Sequence, residues 1–299
     1  MSVCAIVVGS LVEDLAFRVP SRPEPGEVVI ADSFGAFRGG KGYNQAVALA
    51  RLGAEVVMVG AVGADAYGDG FIAALGREGV NADRVVQLRG TSTAIAVPLI
   101  TPDGDVGFVQ YQGANRQLAP AHCADLPDCD VLLLQGEVPA ATSQQAARVI
   151  GGRGKAVLLN PAPVHDITPQ LLDAATVVVP NEIEARSLVD DLEPPIGAAA
   201  AEALRAEGRS AVVTLGARGA AWADADGSGL VEPPSIRAAD STGAGDAFCA
   251  ALAVALAEGK AMPEAVGFAC AAGAHAATVS GAEPGLPTLA QVMALAVAG

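Results

Sequence analysis

Asp246 stands directly after Gly243-Ala244-Gly245, at the head of a small and apolar run that meets no breaker until Gly259. This pattern predicts a turn entering a helix over 243–258. Two glycines around an alanine let successive N–H groups converge, and a helix N-terminus adds partial positive charge there. Such a nest suits an anion, a phosphate above all. A carboxylate beside it would repel a merely bound phosphate. It suits a base that takes a proton from a hydroxyl attacking that phosphate. The same residues also describe an Asp favoured by the dipole in the first turn of a buried helix, and this stretch alone leaves both readings open.

A second candidate is Gly39-Gly40-Lys41-Gly42-Tyr43-Asn44-Gln45. With Gly35 it nearly spells a Walker A loop, but Gly42 stands where Ser or Thr must reach magnesium, which disfavours a P-loop NTPase. Its glycines let backbone approach a small polar ligand, and Asn44 offers both a donor and an acceptor, the mixture a sugar's hydroxyls need. A tight turn with an incidental lysine fits equally. Asn181-x-x-Glu184 by itself reads as a helix start, with Asn181 capping and Glu184 at the third position. Thr214-Leu215-Gly216-x-x-Gly219 reads as a glycine turn between strands.

Alternating apolar runs and amphipathic segments position these residues. Strands are expected at about 4–8, 56–62, 131–134, 156–159, 176–179 and 211–215. Helices are expected at 46–52, 67–79, 140–150, 183–188, 198–207, 243–258, 263–279 and 289–297. The alternation implies an α/β fold, a mostly parallel sheet with helices on both faces. Val28-Val29-Ile30 after a proline-rich turn, and a hairpin of 92–100 and 106–112 around Thr101-Pro102-Asp103-Gly104-Asp105, suggest a small β-sheet lid drawn from about 12–37 and 92–113. Residues 1–299 are read as one domain.

The chain's 299 residues can bury a large core, and 52% hydrophobic content argues against disorder. A formal net charge of −15 argues against nucleic acid and anionic membrane surfaces as partners. No apolar run reaches membrane-span length. No basic segment precedes the strand-like run at Cys4, so a signal peptide is not expected. Five cysteines without a CxxC pair fit reduced thiols in a cytoplasm. His122, His165 and His275 are scattered and suggest neither a zinc site nor a Ser-His-Asp triad.

Seven pieces in order resemble the ribokinase family, the PfkB-type carbohydrate kinases. They are Gly9-Ser10 through Asp14, Gly39-Gly40-Lys41-Gly42-x-Asn44-Gln45, Gly113-Ala114-Asn115, Asn160-Pro161-Ala162-Pro163, Pro180-Asn181-Glu182-x-Glu184, Thr214-Leu215-Gly216-x-x-Gly219 and Asp240-x-Thr242-Gly243-Ala244-Gly245-Asp246. The resemblance implies a doubly wound, ribokinase-like fold with a lid over a sugar, often paired in a homodimer through that lid. It implies ATP-dependent phosphorylation of a primary hydroxyl, D-ribose to ribose 5-phosphate, with Mg²⁺ as cofactor. By position Asp246 is the base, and Gly243, Ala244 and Gly245 form the anion hole. Asp14, Gly40, Lys41, Gly42, Asn44 and Glu137 fall at sugar-contact positions. Asn181 and Glu184 fall where magnesium and its waters are arranged, and Thr214, Gly216 and Gly219 where the chain passes under the nucleotide. Asp240 and the carbonyls of Thr242, Ala276, Val279, Gly281 and Gly285 fall at a monovalent-cation site, so K⁺ activation is an expectation.

Three positions depart from the family pattern. Val12 replaces an asparagine that contacts ribose, so one hydroxyl loses a partner or the substrate lacks it. Tyr43 stands among small residues, where it would narrow the pocket or stack on a base. Cys270 stands where a polar residue near adenine is expected. A nucleoside, fructose or another sugar would keep the chemistry and change the substrate. A non-catalytic binding protein is a second class, disfavoured because it has no need of a base.

Overall fold

Strand β1 (Cys4–Val8) has only apolar and small residues, and its alternate side chains enter two different cores. Such a strand must be covered on both faces. The computed structural model describes residues 2–190, 192 and 195–298; Met1 and Gly299, the ends of the single-domain expectation, lie outside the described residues. After β1 come β2 (Val12–Arg18), β3 (Ser33–Gly39), α1 (Lys41–Arg51), β4 (Glu55–Gly63), α2 (Ala66–Arg77) and β5 (Asn81–Leu88). The hairpin β6 (Ala94–Ile100) and β7 (Val106–Tyr111) precedes β8 (Val131–Gln135), α3 (Ala140–Gly151), β9 (Ala156–Asn160), α4 (Pro169–Ala174) and β10 (Val177–Val178). Then follow α5 (Glu182–Leu188), α6 (Ile196–Leu204), β11 (Ser210–Thr214), β12 (Ala220–Ala223) and β13 (Ser228–Val231). Helices α7 (Ala244–Ala257), α8 (Met262–Ala277), α9 (Ala282–Gly285) and α10 (Leu289–Ala298) complete the chain.

The large sheet has the order β13-β12-β11-β10-β9-β8-β1-β4-β5, parallel from β11 to β5 and antiparallel at β12 and β13. Ala5, Val7, Val131 and Leu133 share a core with α1, α2, α7 and α8, whereas Ile6, Val8, Leu132 and Leu134 face α3 and α4. From β1 the chain builds outward through β4 and β5, then returns to β8 and builds the other way. The strand order therefore reverses between β1 and β8. A doubly wound sheet leaves its ligand crevice at the carboxyl ends of strands at such a point.

The second sheet has the order β3-β2-β6-β7 and supplies the expected lid. Its first strands differ from the sequence expectation. Val28-Val29-Ile30 forms no strand, and Val28 and Ile30 are 84% and 78% exposed. The β2–β3 register pairs Val12 with Gly39 and Arg18 with Ser33, which places those apolar residues in the connection. Strand β5 was not expected: its polar residues Asn81, Asp83, Arg84 and Gln87 belong to an edge that needs only one apolar face.

Helix α1 starts at Lys41, five residues before the expected start, because its first turn lies against β1. A Cβ on Gly42 would come within 2.5 Å of the backbone of Gly9 and Ser10, so only glycine allows this approach. At the other end, Arg51 donates to Glu78 and to the carbonyls of Glu283 and Leu286, tying α1 to α9. Helices α7 and α8 pack together, and both bring buried alanines to the core, among them Ala247, Ala251, Ala265, Ala269 and Ala272. A Cβ on Gly273 would lie 3.1 Å from the Ala244 carbonyl oxygen, so the two backbones come close at the start of α7.

Candidate active site

A cleft of about 230 Å³ opens at the carboxyl ends of the central strands, lined by Lys41, Asn160, Asn181, Glu184, Thr214, Gly245, Asp246 and Cys249 among others. Asp246 is 6% exposed in the first turn of α7. Its Oδ2 accepts from Asn44 Nδ2 at 2.9 Å, and its Oδ1 from Gln45 Nε2 at 3.1 Å. Burial pushes the carboxyl group's pKa up, while Lys41, Asn44 and Gln45 act in the opposite direction. Because α1 begins at Lys41, residues 41, 44 and 45 share the helix face that looks at Asp246.

Gly243 caps α7 at φ 79°, in the left-handed region, with no side-chain cap. The first-turn amides of Gly245 and Asp246 therefore have no intrahelical acceptor. Gly245 is exposed, and a Cβ built on it would meet nothing within 4 Å. Ala244 differs from the expected anion-hole role, since its N–H donates to the Ser241 carbonyl at 3.1 Å.

Sugar-side expectations meet on the lid's base. Glu137 accepts from the Ser10 hydroxyl and, at 2.9 Å, from the Lys41 backbone N–H. Asp14 faces the same region, and burial together with Glu137 and Glu13 pushes its pKa up to about 7. For the Lys41 ammonium, burial disfavours the charge, but Asp246, Glu137 and Glu184 outweigh it and raise the pKa. Asn44 is 6% exposed, and its Oδ1 is buried without a partner among the described residues. Gly40 (φ 89°) and Gly39 bring β3 against β2: a Cβ on Gly39 would lie 2.4 Å from Asp14 Oδ2. Val12 shares a face of β2 with Asp14 by strand alternation and packs with Ala94 and Ala96.

On the opposite wall, Asn181 and Glu184 form a reciprocal capping box. Asn181 Oδ1 accepts from the Glu184 N–H, while the Glu184 carboxylate accepts from the Asn181 N–H at 2.8 Å and from Nδ2 at 2.9 Å. Burial raises the Glu184 pKa, opposed by the Asn181 N–H and Lys41. Thr214 lines the cleft beside them, and Gly216 (φ 59°) is exposed just beyond. Gly219 (φ 86°) cannot carry a side chain, since its Cβ would lie 1.9 Å from the Val231 carbonyl oxygen. Asp240 Oδ1 accepts from the N–H and hydroxyl of Thr242, and Oδ2 from the Gly281 N–H at 2.9 Å. Although burial opposes them, these bonds hold its pKa below the usual value. They bring the Thr242 turn to the segment of Ala276, Val279, Gly281 and Gly285.

The chain matches the pfkB family carbohydrate kinase model over residues 5–289. The chain belongs to the pfkB carbohydrate kinase family. This kinase is 36% identical to a ribokinase of Bacillus subtilis over 96% of its own length and 97% of the relative's. It is 34% identical to a deoxyribokinase of Salmonella typhi, over 81% and 82% of the two chains. An Arabidopsis thaliana ribokinase structure, complexed with ribose and ATP, superposes with TM-score 0.88 at 30% identity, covering 99% of each chain.

Two departures resolve differently from expectation. Tyr43 neither narrows the pocket nor is free to stack on a base. It is fully buried, with its ring edge-on to Phe71 at 5.1 Å on the face of α1 turned away from Asp246. Cys270 is 4% exposed, with Sγ against the Val231 carbonyl in the core, and it does not line the cleft. Gln135, which the sequence reading missed, ends β8 and donates to Gln45 Oε1 at 2.6 Å. The available signal was a polar residue closing an otherwise apolar strand just before Gly136-Glu137.

Proposed function

We propose that this kinase transfers the γ-phosphoryl group of ATP to a primary hydroxyl of ribose, yielding ribose 5-phosphate, with Asp246 as the general base. The observation that carries this is Asn44, whose amide donates to the carboxylate of Asp246 while its Oδ1 remains a buried acceptor without a donor among the described residues. Such an atom costs about 1–3 kcal/mol unless a ligand supplies the missing hydrogen, as a sugar hydroxyl does. A hydroxyl bound there lies beside a carboxylate that can take a proton.

The remaining roles follow from what each group can do. Asp14, Lys41 and Glu137 hold the other hydroxyls with Gly40 and Gly42. Asp246 accepts the proton of the attacking hydroxyl, and Lys41 balances charge on that side. The free amides of Gly245 and Asp246 meet the transferring phosphoryl group, an electrostatic contribution that needs no reorganisation. Thr214, Gly216 and Gly219 support the nucleotide.

Among the described residues no cluster of three or more His, Cys, Asp or Glu can hold a metal. Glu184 fits magnesium held chiefly by phosphates and water: two bonds from Asn181 leave lone pairs for metal-bound waters. Mg²⁺, when bound, neutralises charge on the phosphates. Asp240 fits potassium indirectly, by joining the two carbonyl-bearing segments, so K⁺ is expected to raise turnover. Homodimerisation through the lid is supported by Phe34, Phe108, Val109 and Tyr111, all more than half exposed on the small sheet. The five unpaired cysteines, four of them buried, support a cytoplasmic setting.

Val12 favours a second reading, a sugar lacking one hydroxyl. Valine can neither donate nor accept where a hydroxyl would need a partner.

The test is ADP release with Mg-ATP against ribose, deoxyribose, hexoses and nucleosides, with and without potassium, for wild type and Asp246→Asn. A preference for ribose, with kcat reduced at least about 10³-fold in Asp246→Asn while ATP still binds, supports the reading. Preference for deoxyribose moves the assignment to the second reading. Near-wild-type turnover by Asp246→Asn removes the base.

A further inference from the structure

Gln45 is fully buried, and its amide makes three hydrogen bonds. Nε2 donates to Asp246 Oδ1 at 3.1 Å and more weakly to Asn160 Oδ1 at 3.4 Å, and Oε1 accepts from Gln135 Nε2 at 2.6 Å. The nitrogen end of this chain meets two groups that act as acceptors here. An ionised Asp246 only accepts. Asn160 donates its Nδ2 to the Val179 carbonyl at 2.9 Å, which leaves its oxygen for Gln45. If Gln45 were turned over, its oxygen would face the carboxylate and the Asn160 oxygen together.

Gln135 supports that orientation from the other side, at a cost to itself. It is 1% exposed, and while its nitrogen serves Gln45, its own Oε1 is buried without a donor among the described residues. The side chain fits only because residue 9 is glycine: a Cβ there would lie 2.1 Å from Gln135 Oε1. A buried unpaired acceptor is unfavourable, so the arrangement is unsuited to stability alone.

We propose that Gln45 and Gln135 are positioning residues for phosphoryl transfer, Gln135 holding the Gln45 side chain in place so that its N–H pins the Asp246 carboxylate. Asn44 holds one carboxylate oxygen and Gln45 the other, which fixes the plane of the group toward the cleft. This rests on Asp246 acting as the base.

The test is steady-state kinetics of Gln45→Met, Gln135→Met and the double variant, with thermal unfolding recorded for each and Asp246→Asn measured alongside. Each single change is expected to lower kcat about tenfold, as loss of one hydrogen bond to a charged group implies, with KM for ATP unchanged. Because Gln135 acts only through Gln45, the double variant should be no slower than Gln45→Met. Wild-type kcat in Gln135→Met, a product-like loss of about 100-fold in the double variant, or a change confined to KM overturns the proposal. If a methionine variant fails to fold, Gln135→Leu, which has no donor in any protonation state, takes its place, and wild-type kcat there overturns the proposal equally. Activity in Asp246→Asn removes the underlying base. An inactive Asp246→Asn with unaffected glutamine variants removes only the relay.

Discussion

Replacing Asp14 by Asn removes a carboxyl group that folding places unfavourably. Asp14 sits in β2 close against Gly39, and burial, Glu137 and Glu13 raise its pKa from 3.8 to about 7. Between those values the folded protein binds more protons at this group than the unfolded chain does. Stability is therefore lost as pH rises from about 4 to about 7. A rise of this size corresponds to about 4 kcal/mol, which partial exposure and screening reduce to about 2 kcal/mol. Roughly two thirds of it develops between pH 5 and pH 8. Asn keeps the shape and has no charge. Urea denaturation of the sugar-free protein should thus show Asp14→Asn gaining about 1 kcal/mol on wild type between pH 5 and pH 8, with unchanged m-value. The same variant should bind sugar worse, with KM raised about tenfold or more at pH 8. A wild-type-to-variant difference that does not vary with pH, or a variant less stable than wild type at pH 8, would refute the reasoning.

Val12→Asn should raise kcat/KM for ribose over deoxyribose about tenfold, and lower sugar-free stability by about 1–2 kcal/mol because the amide enters an apolar pocket with Ala94 and Ala96. An unchanged sugar ratio would mean that another residue meets that hydroxyl. Gly219→Ala should lower stability by at least about 2 kcal/mol in thermal unfolding, since both φ 86° and the Val231 carbonyl oppose a side chain. Phe108→Glu, on a residue 68% exposed on β7, should turn a dimer into a monomer in sedimentation velocity without altering kcat tenfold, and an unchanged sedimentation coefficient would place the interface elsewhere.

The parts legible in the sequence were those whose chemistry lies in one contiguous stretch. Gly243 to Asp246 is both the turn and the start of α7, so the motif and the helix were found together. The central strands were equally plain, because burial on both faces demands unbroken apolar runs. What escaped depends on partners distant in sequence. Gln45 and Gln135 are 90 residues apart, and nothing local marks the bond between them. Tyr43 was misjudged because α1 was expected to begin at Ala46. A start at Lys41 puts Lys41, Asn44 and Gln45 on one face and Tyr43 with Val47 on another. The exposure of Val28 and Ile30 was hidden because β propensity is only a fit to a half-buried surface, and the register of β3 leaves them none.

The contact between α7 and α8 has a consequence for how such an enzyme can change its substrate. With Gly273 against the Ala244 carbonyl, a side chain at that position presses on the first turn of α7, which carries Asp246. Position 12, by contrast, lies at the start of β2 in the small sheet, in a small buried cluster with Ala94 and Ala96. Drift at the lid's base alters which sugar is held and leaves the proton acceptor where it is. Selection can therefore trade one sugar for another through a few lid residues, while mutations at that contact are removed as losses of the reaction itself.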